Sequence, residues 1–130
     1  MTPEGETAAL AILLHDGTYA RAHYAFMLAA GALAIDRPVI VFAAGRGVHA
    51  LARDWSGLHD ACDDRAVQAR GVAGMDSLRE AAIELGADLM ACEAALKLRD
   101  LTPQLLLDGV RIAGIPTFLE AARGRQIITL

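Results

Sequence analysis

Two cysteines, four prolines, one tryptophan and a single lysine are spread over 130 residues, and aromatic side chains make up only 5% of the chain. Cys62 and Cys92 are too few to staple a secreted scaffold, and their separation matches no C-x-x-C ligand pair. Any role they have is as thiols. The longest stretch without Asp, Glu, Lys or Arg covers residues 22–35 and includes His23, too short for ~30 Å of hydrocarbon. Glu4 and Glu6 stand where a secretory leader is basic. The histidines at 15, 23, 49 and 59 form no H-x-x-x-H pair, so no metal site and no other cofactor is expected. Eleven arginines and Lys97 are scattered against 16 acidic residues, for a net charge of −4, which leaves no nucleic-acid footprint. The expectation is a cytoplasmic protein without a membrane span.

What is present is aliphatic. The hydrophobic set reaches 55% and mean hydropathy is +0.35, which excludes disorder. Ala fills 27 positions, so Leu, Ile and Val supply most of the core volume. The length suits one domain over residues 1–130.

Residues 8–14 (AALAILL) and 39–44 (VIVFAA) are apolar without alternation, as strands buried on both faces are. Between them Thr18 is placed to cap a helix whose Tyr19, Ala22, His23, Phe26, Met27 and Ala30 recur at three- and four-residue steps. Tyr19, Phe26 and Met27 read as packing of this helix on a sheet. A second helix is predicted over residues 47–54, leading to the opposite edge of the sheet. Residues 55–75 have three glycines, several charges and no period, and read as an irregular loop, with Asp63 and Asp64 in a solvated turn.

Ser77-Leu78-Arg79-Glu80 spells a capping box before a helix that Gly86 stops. A strand follows at residues 87–91, then Cys92, then a short helix at 93–99. Thr102-Pro103 opens a further turn, and residues 110–113 read as a fourth strand. A second box, Thr117-Phe118-Leu119-Glu120, predicts a helix up to Gly124, and residues 126–130 make a fifth strand. This alternation gives an α/β fold with a five-stranded parallel sheet.

Ligands of such sheets bind beyond the carboxyl ends of the strands. Those ends deliver His15, Asp16 and Thr18, then Gly45, Arg46 and Gly47, then Cys92, then Gly114, Pro116 and Thr117. Cys92 is the one strong nucleophile among them. At the start of a helix its sulfur lies near the positive dipole end, which favours the thiolate; as a small buried hydrophobe it has no chemical role. Both readings fit the spacing. Gly45-Arg46-Gly47-Val48-His49-Ala50 matches G-x-G-x-x-A, but the acidic residues about twenty positions on, Asp63 and Asp64, fall in the loop and not at a strand end. The alternative to thiol chemistry is a non-catalytic module that holds a nucleotide or other anion on the Gly45 to Gly47 turn with Arg46. His59, three residues before Cys62, adds no supporting period.

Residues 71–100 (GVAGMDSLREAAIELGADLMACEAALKLRD) resemble the DsrE/DsrF-like family of small sulfur-handling proteins. The match lies in S-L-x-E-x-A-x-E-L-G, in the strand ending A-C-E, and further on in Asp108-Gly109-Val110 and the A-G-x-x-T-F-L run from Ala113 to Leu119. The resemblance implies a three-layer α/β/α domain, homo-oligomeric assembly, and a persulfide carried on Cys92. It implies rhodanese-like or TusA-like proteins as partners in sulfur exchange. The converging loops, and not the resemblance, offer supporting roles for His15, Asp16, Arg46 and Thr117, with Ile115, Pro116 and Phe118 as an apolar rim; Cys62 matches no family motif and is a candidate second thiol.

Overall fold

The computed structural model describes residues 9–130, and in it strands and helices alternate as the apolar runs predict. Ala8, Glu4 and Glu6 lie outside the described residues. The strands are β1 (Leu10–Leu14), β2 (Val39–Ala43), β3 (Asp88–Cys92), β4 (Arg111–Ala113) and β5 (Gln126–Thr129). They form one parallel sheet in the order β4-β3-β2-β1-β5. Ile12 lies level with Val41 on one side and Ile128 on the other. β2 is buried at every position, which is why it reads as a continuous apolar run.

The α-helices are α1 (Tyr19–Ala34), α2 (Asp63–Ala69), α3 (Met75–Glu84), α4 (Glu93–Leu98) and α5 (Ile115–Ala121). Thr18 caps α1, its hydroxyl accepting from the Arg21 amide at 3.4 Å. The strand order steps in one direction from β1 to β4 and then returns to β5 beside β1. Right-handed crossovers therefore set α5 on the face opposite α1 and α3, which pack against each other. Phe118 of α5 stacks on Phe42 with ring centroids 4.4 Å apart. The result is the three-layer α/β/α arrangement.

Tyr19 and Phe26 are buried, but Met27 is 42% exposed. It lies just off the stripe of Ala22, Ala25, Phe26 and Ala29 that α1 buries. Two helix starts also differ from the capping boxes. α3 begins at Met75 after Gly74, because the Asp64 carboxylate, eleven residues away in the chain, accepts from the Met75 amide at 2.7 Å. Ser77 is thus inside the helix. α5 begins at Ile115 after Gly114 with Pro116 in its first turn, where a missing N–H costs nothing. Thr117 sits inside that turn and caps nothing.

Residues 55–75 are not an irregular loop. They hold a 3-10 turn (Trp55–Gly57) and α2. The predicted helix at 47–54 is a 3-10 helix over Gly45–Leu51, and it does not lead the chain to the far edge. The His59 amide donates to the Gly17 carbonyl at 2.9 Å, and its carbonyl accepts from the Tyr19 amide at 2.8 Å. These bonds hold the segment at the carboxyl edge of β1. Asp64 is no solvated turn residue: it also accepts from the Tyr19 hydroxyl at 2.8 Å.

Candidate functional site

Three loops meet at the carboxyl edge of the sheet, and small residues decide how close they come. Gly45 has φ +51, and a Cβ there would stand 2.7 Å from His15 Nε2. A Cβ on Gly17 would collide with the Arg46 side chain. The β1 and β2 loops are therefore pressed together through two glycines, which brings His15, Asp16 and Arg46 into one cleft of about 340 Å³. Helix α4 supplies its other wall through Ala95, Leu98 and the following Arg99. A neighbouring cleft of about 450 Å³ shares Asp16 and Arg46 and adds Thr18 and His59.

In the Gly45 to Gly47 turn, one amide is unavailable to an anion. The Gly47 amide donates to Ala44 O at 2.9 Å and to His15 O at 3.3 Å, so it is already committed. A Cβ on Gly47 would strike the Leu14 carbonyl, which accounts for the glycine by packing.

Asp16 turns towards Thr18, accepting from its amide at 3.0 Å and from its hydroxyl. These bonds, the side-chain one foremost, hold its carboxyl below the usual carboxylate range, helped by the charge of Arg21 and His15. Cys92 ends β3 and is the residue before α4; it is 7% exposed and its side chain makes no capping hydrogen bond. The A-C-E strand end thus positions this sulfur at the same edge as the clefts, because β3 lies next to β2.

Not all the candidates converge. Thr117 lines a shallow hollow with Pro116 and Glu120, apart from the His15 and Arg46 cleft. Cys62 precedes α2, is exposed, and lines neither cleft. Of the apolar rim, Ile115 is half exposed whereas Phe118 is buried against Phe42.

Two residues of the site are illegible from motifs. Arg99 Nε donates to His49 Nε2 at 3.4 Å across fifty positions of sequence. Burial lowers the His49 pKa, and the charges of Arg99 and Arg46 lower it further, so the ring is a neutral acceptor. The one signal that points to the pair is topological: each residue lies a few positions past the end of adjacent strands, β2 and β3. Among the described residues no group of three or more His, Cys, Asp or Glu is arranged to hold a metal ion, and no helix is long and apolar enough to cross a membrane.

The family model described as DsrE/DsrF-like matches residues 8–130. No curated protein matches the sequence. Among solved structures, the ychN protein from E. coli has a TM-score of 0.70 at 12% identity, covering 94% of this chain and 99% of its own. A protein of unknown function from Bacteroides thetaiotaomicron, BT1422, gives 0.66 at 14% identity, covering 99% and 100%. Another from Methanobacterium thermoautotrophicum, MTH1491, gives 0.63 at 16%, covering 94% and 98%. These likenesses are of fold.

Proposed function

Because the chain belongs to the DsrE/DsrF-like family, we propose that it is a sulfur-relay protein that holds sulfane sulfur as a persulfide on Cys92. The observation that carries this reading is the place of Cys92: a free thiol at the carboxyl end of an interior strand, 7% exposed, inside the segment that carries the family resemblance. That degree of shielding suits a sulfur that must meet a partner's thiol and yet survive small ones.

The chemistry is thiol exchange with one extra sulfur. The Cys92 thiolate attacks the terminal sulfur of a donor persulfide, a new S–S bond forms, the donor's S–S bond breaks, and the donor leaves as a thiolate. A second exchange passes the terminal sulfur to an acceptor thiolate and regenerates Cys92. Each step conserves electrons within the pair of thiols, so no external oxidant enters. Rhodanese-like and TusA-like proteins are the proposed partners, exchange takes place in the reducing cytoplasm, and the protein acts as a homo-oligomer. Exposed Ile115, Leu119 and Ile127 favour that assembly. The Gly45 to Gly47 turn is a weaker basis for function, since the Gly47 amide is already bonded within the chain.

The test is intact-mass measurement after exposure to polysulfide. Wild type and Cys62→Ala are expected to gain sulfur that a reductant removes, and Cys92→Ala to gain none. A Cys92→Ala protein that loads as well as wild type rejects the reading.

A further inference from the structure

We propose that the cleft between the β1 loop, the β2 loop and α4 is an oxoanion-binding site, taking a phosphate- or sulfate-type group between Arg46 and Arg99. The site is independent of sulfur loading on Cys92.

Charge is the first reason. The chain has four more acidic than basic residues, and among the described residues Arg53, Arg79, Arg111, Arg123 and Lys97 all have carboxylates within ion-pair distance. Arg46 and Arg99, like Arg21, Arg65, Arg70 and Arg125, have none, and what sets these two together is that they line one hollow. The single carboxylate lining that hollow, Asp16, is engaged by both the amide and the hydroxyl of Thr18.

Orientation is the second. A guanidinium has five N–H donors in a fixed plane. His49 accepts from Arg99 Nε at 3.4 Å, which fixes that plane and leaves the two terminal nitrogens for a ligand. The acceptor needs a neutral ring, and burial together with the two nearby arginine charges keeps His49 so. A Cβ on Gly57 would meet His49 Nδ1 at 2.5 Å, so the far side of the ring is closely backed. The close approach of Gly17 sets where the Arg46 side chain leaves its loop. Both arginines line this one small volume, and a guanidinium fork matches the geometry of an oxoanion.

Size and lining are the third. About 340 Å³ lies within the range of small-molecule sites. Leu98 is 79% exposed beside the arginines, an apolar wall for any organic group attached to the anion.

The experiment is titration of the whole chain with sodium phosphate and sodium sulfate against sodium chloride at matched ionic strength, read by calorimetry and by melting temperature. Saturable binding is expected for phosphate and sulfate only. Arg46→Gln and Arg99→Gln are each expected to weaken it by roughly tenfold or more, the loss of one charge-assisted contact. Arg123→Gln, a change at an arginine remote from the cleft, and Cys92→Ala are expected to bind as wild type does. Phenyl phosphate separates the sources of the anion: tighter binding than inorganic phosphate identifies the head of a larger organic ligand, and equal binding identifies a free oxoanion. Arg46 is exposed, so its variant keeps the test decisive even if Arg99→Gln loses its fold. An equal response to chloride, or undiminished binding by Arg46→Gln, overturns the site.

Discussion

The Tyr19 hydroxyl donates to Asp64 Oδ1 at 2.8 Å, joining the first residue of α1 to α2. The same carboxylate oxygen accepts from the first amide of α3 at 2.7 Å. One acid therefore ties together three helix starts at the carboxyl edge. Burial foremost, with Asp64 and Asp63 adding, pushes the Tyr19 phenol well above its usual range, so it remains a donor throughout the physiological range.

Asp64→Ala leaves a buried phenol and a helix N-terminal amide without their acceptor. The expected cost is roughly 2–3 kcal/mol in urea unfolding, against about 1 kcal/mol for Tyr19→Phe, which removes one bond only. A double-mutant cycle is expected to show coupling between the two positions. Additive effects contradict the shared role.

Arg79 is 4% exposed and donates to three backbone carbonyls, those of Ala50, Ala52 and Arg53. It fastens the end of the Gly45–Leu51 helix, which otherwise has no helical continuation to absorb those groups. Arg79→Met is expected to destabilise the fold by roughly 2–4 kcal/mol in the same measurement. Arg79→Lys is expected to recover little of this, because one ammonium cannot reproduce the planar fork. Full rescue by lysine contradicts the fork as the cause.

Asp16 titrates below its ordinary value of 3.8 because Thr18 donates to it. A carboxyl depressed in the folded state contributes stability that is present above the unfolded value and lost as pH falls through the folded one. Thr18→Ala is expected to move the Asp16 titration, followed by carboxyl carbon NMR, back up towards 3.8. The stability gap between the two proteins is then expected to narrow as pH falls below that value. What persists at low pH reports the lost cap on Arg21. A gap that is constant with pH contradicts the link between Thr18 and Asp16.

The parts of the fold written locally are the ones the sequence reveals. Val39–Ala43 is apolar because both faces of the strand are covered, and Thr18 caps the helix that immediately follows it. The misread parts depend on partners far away in the chain. Ser77 and Thr117 stand in sound capping patterns, but Asp64 supplies the start of α3 from outside it, and Gly114 with Pro116 sets the start of α5. In residues 55–75 order comes from backbone bonds of His59 to Gly17 and Tyr19, which leave no periodic trace. The site divides in the same way. Cys92, His15, Asp16 and Arg46 follow from counting strand ends, whereas the bond between Arg99 and His49 exists only once β2 and β3 are neighbours.

The strand order gives β1 a particular history. Its residues 10–14 are among the first described, yet one of its two hydrogen-bonding edges is filled by β5, at Gln126–Thr129. During synthesis that edge stays open while every other strand is made, since nothing but the last strand in the order pairs with it. An apolar strand with an unpaired edge is a template for misassociation. Closing the sheet is therefore a late, long-range step, since this edge of β1 has its partner only once Gln126–Thr129 has been made.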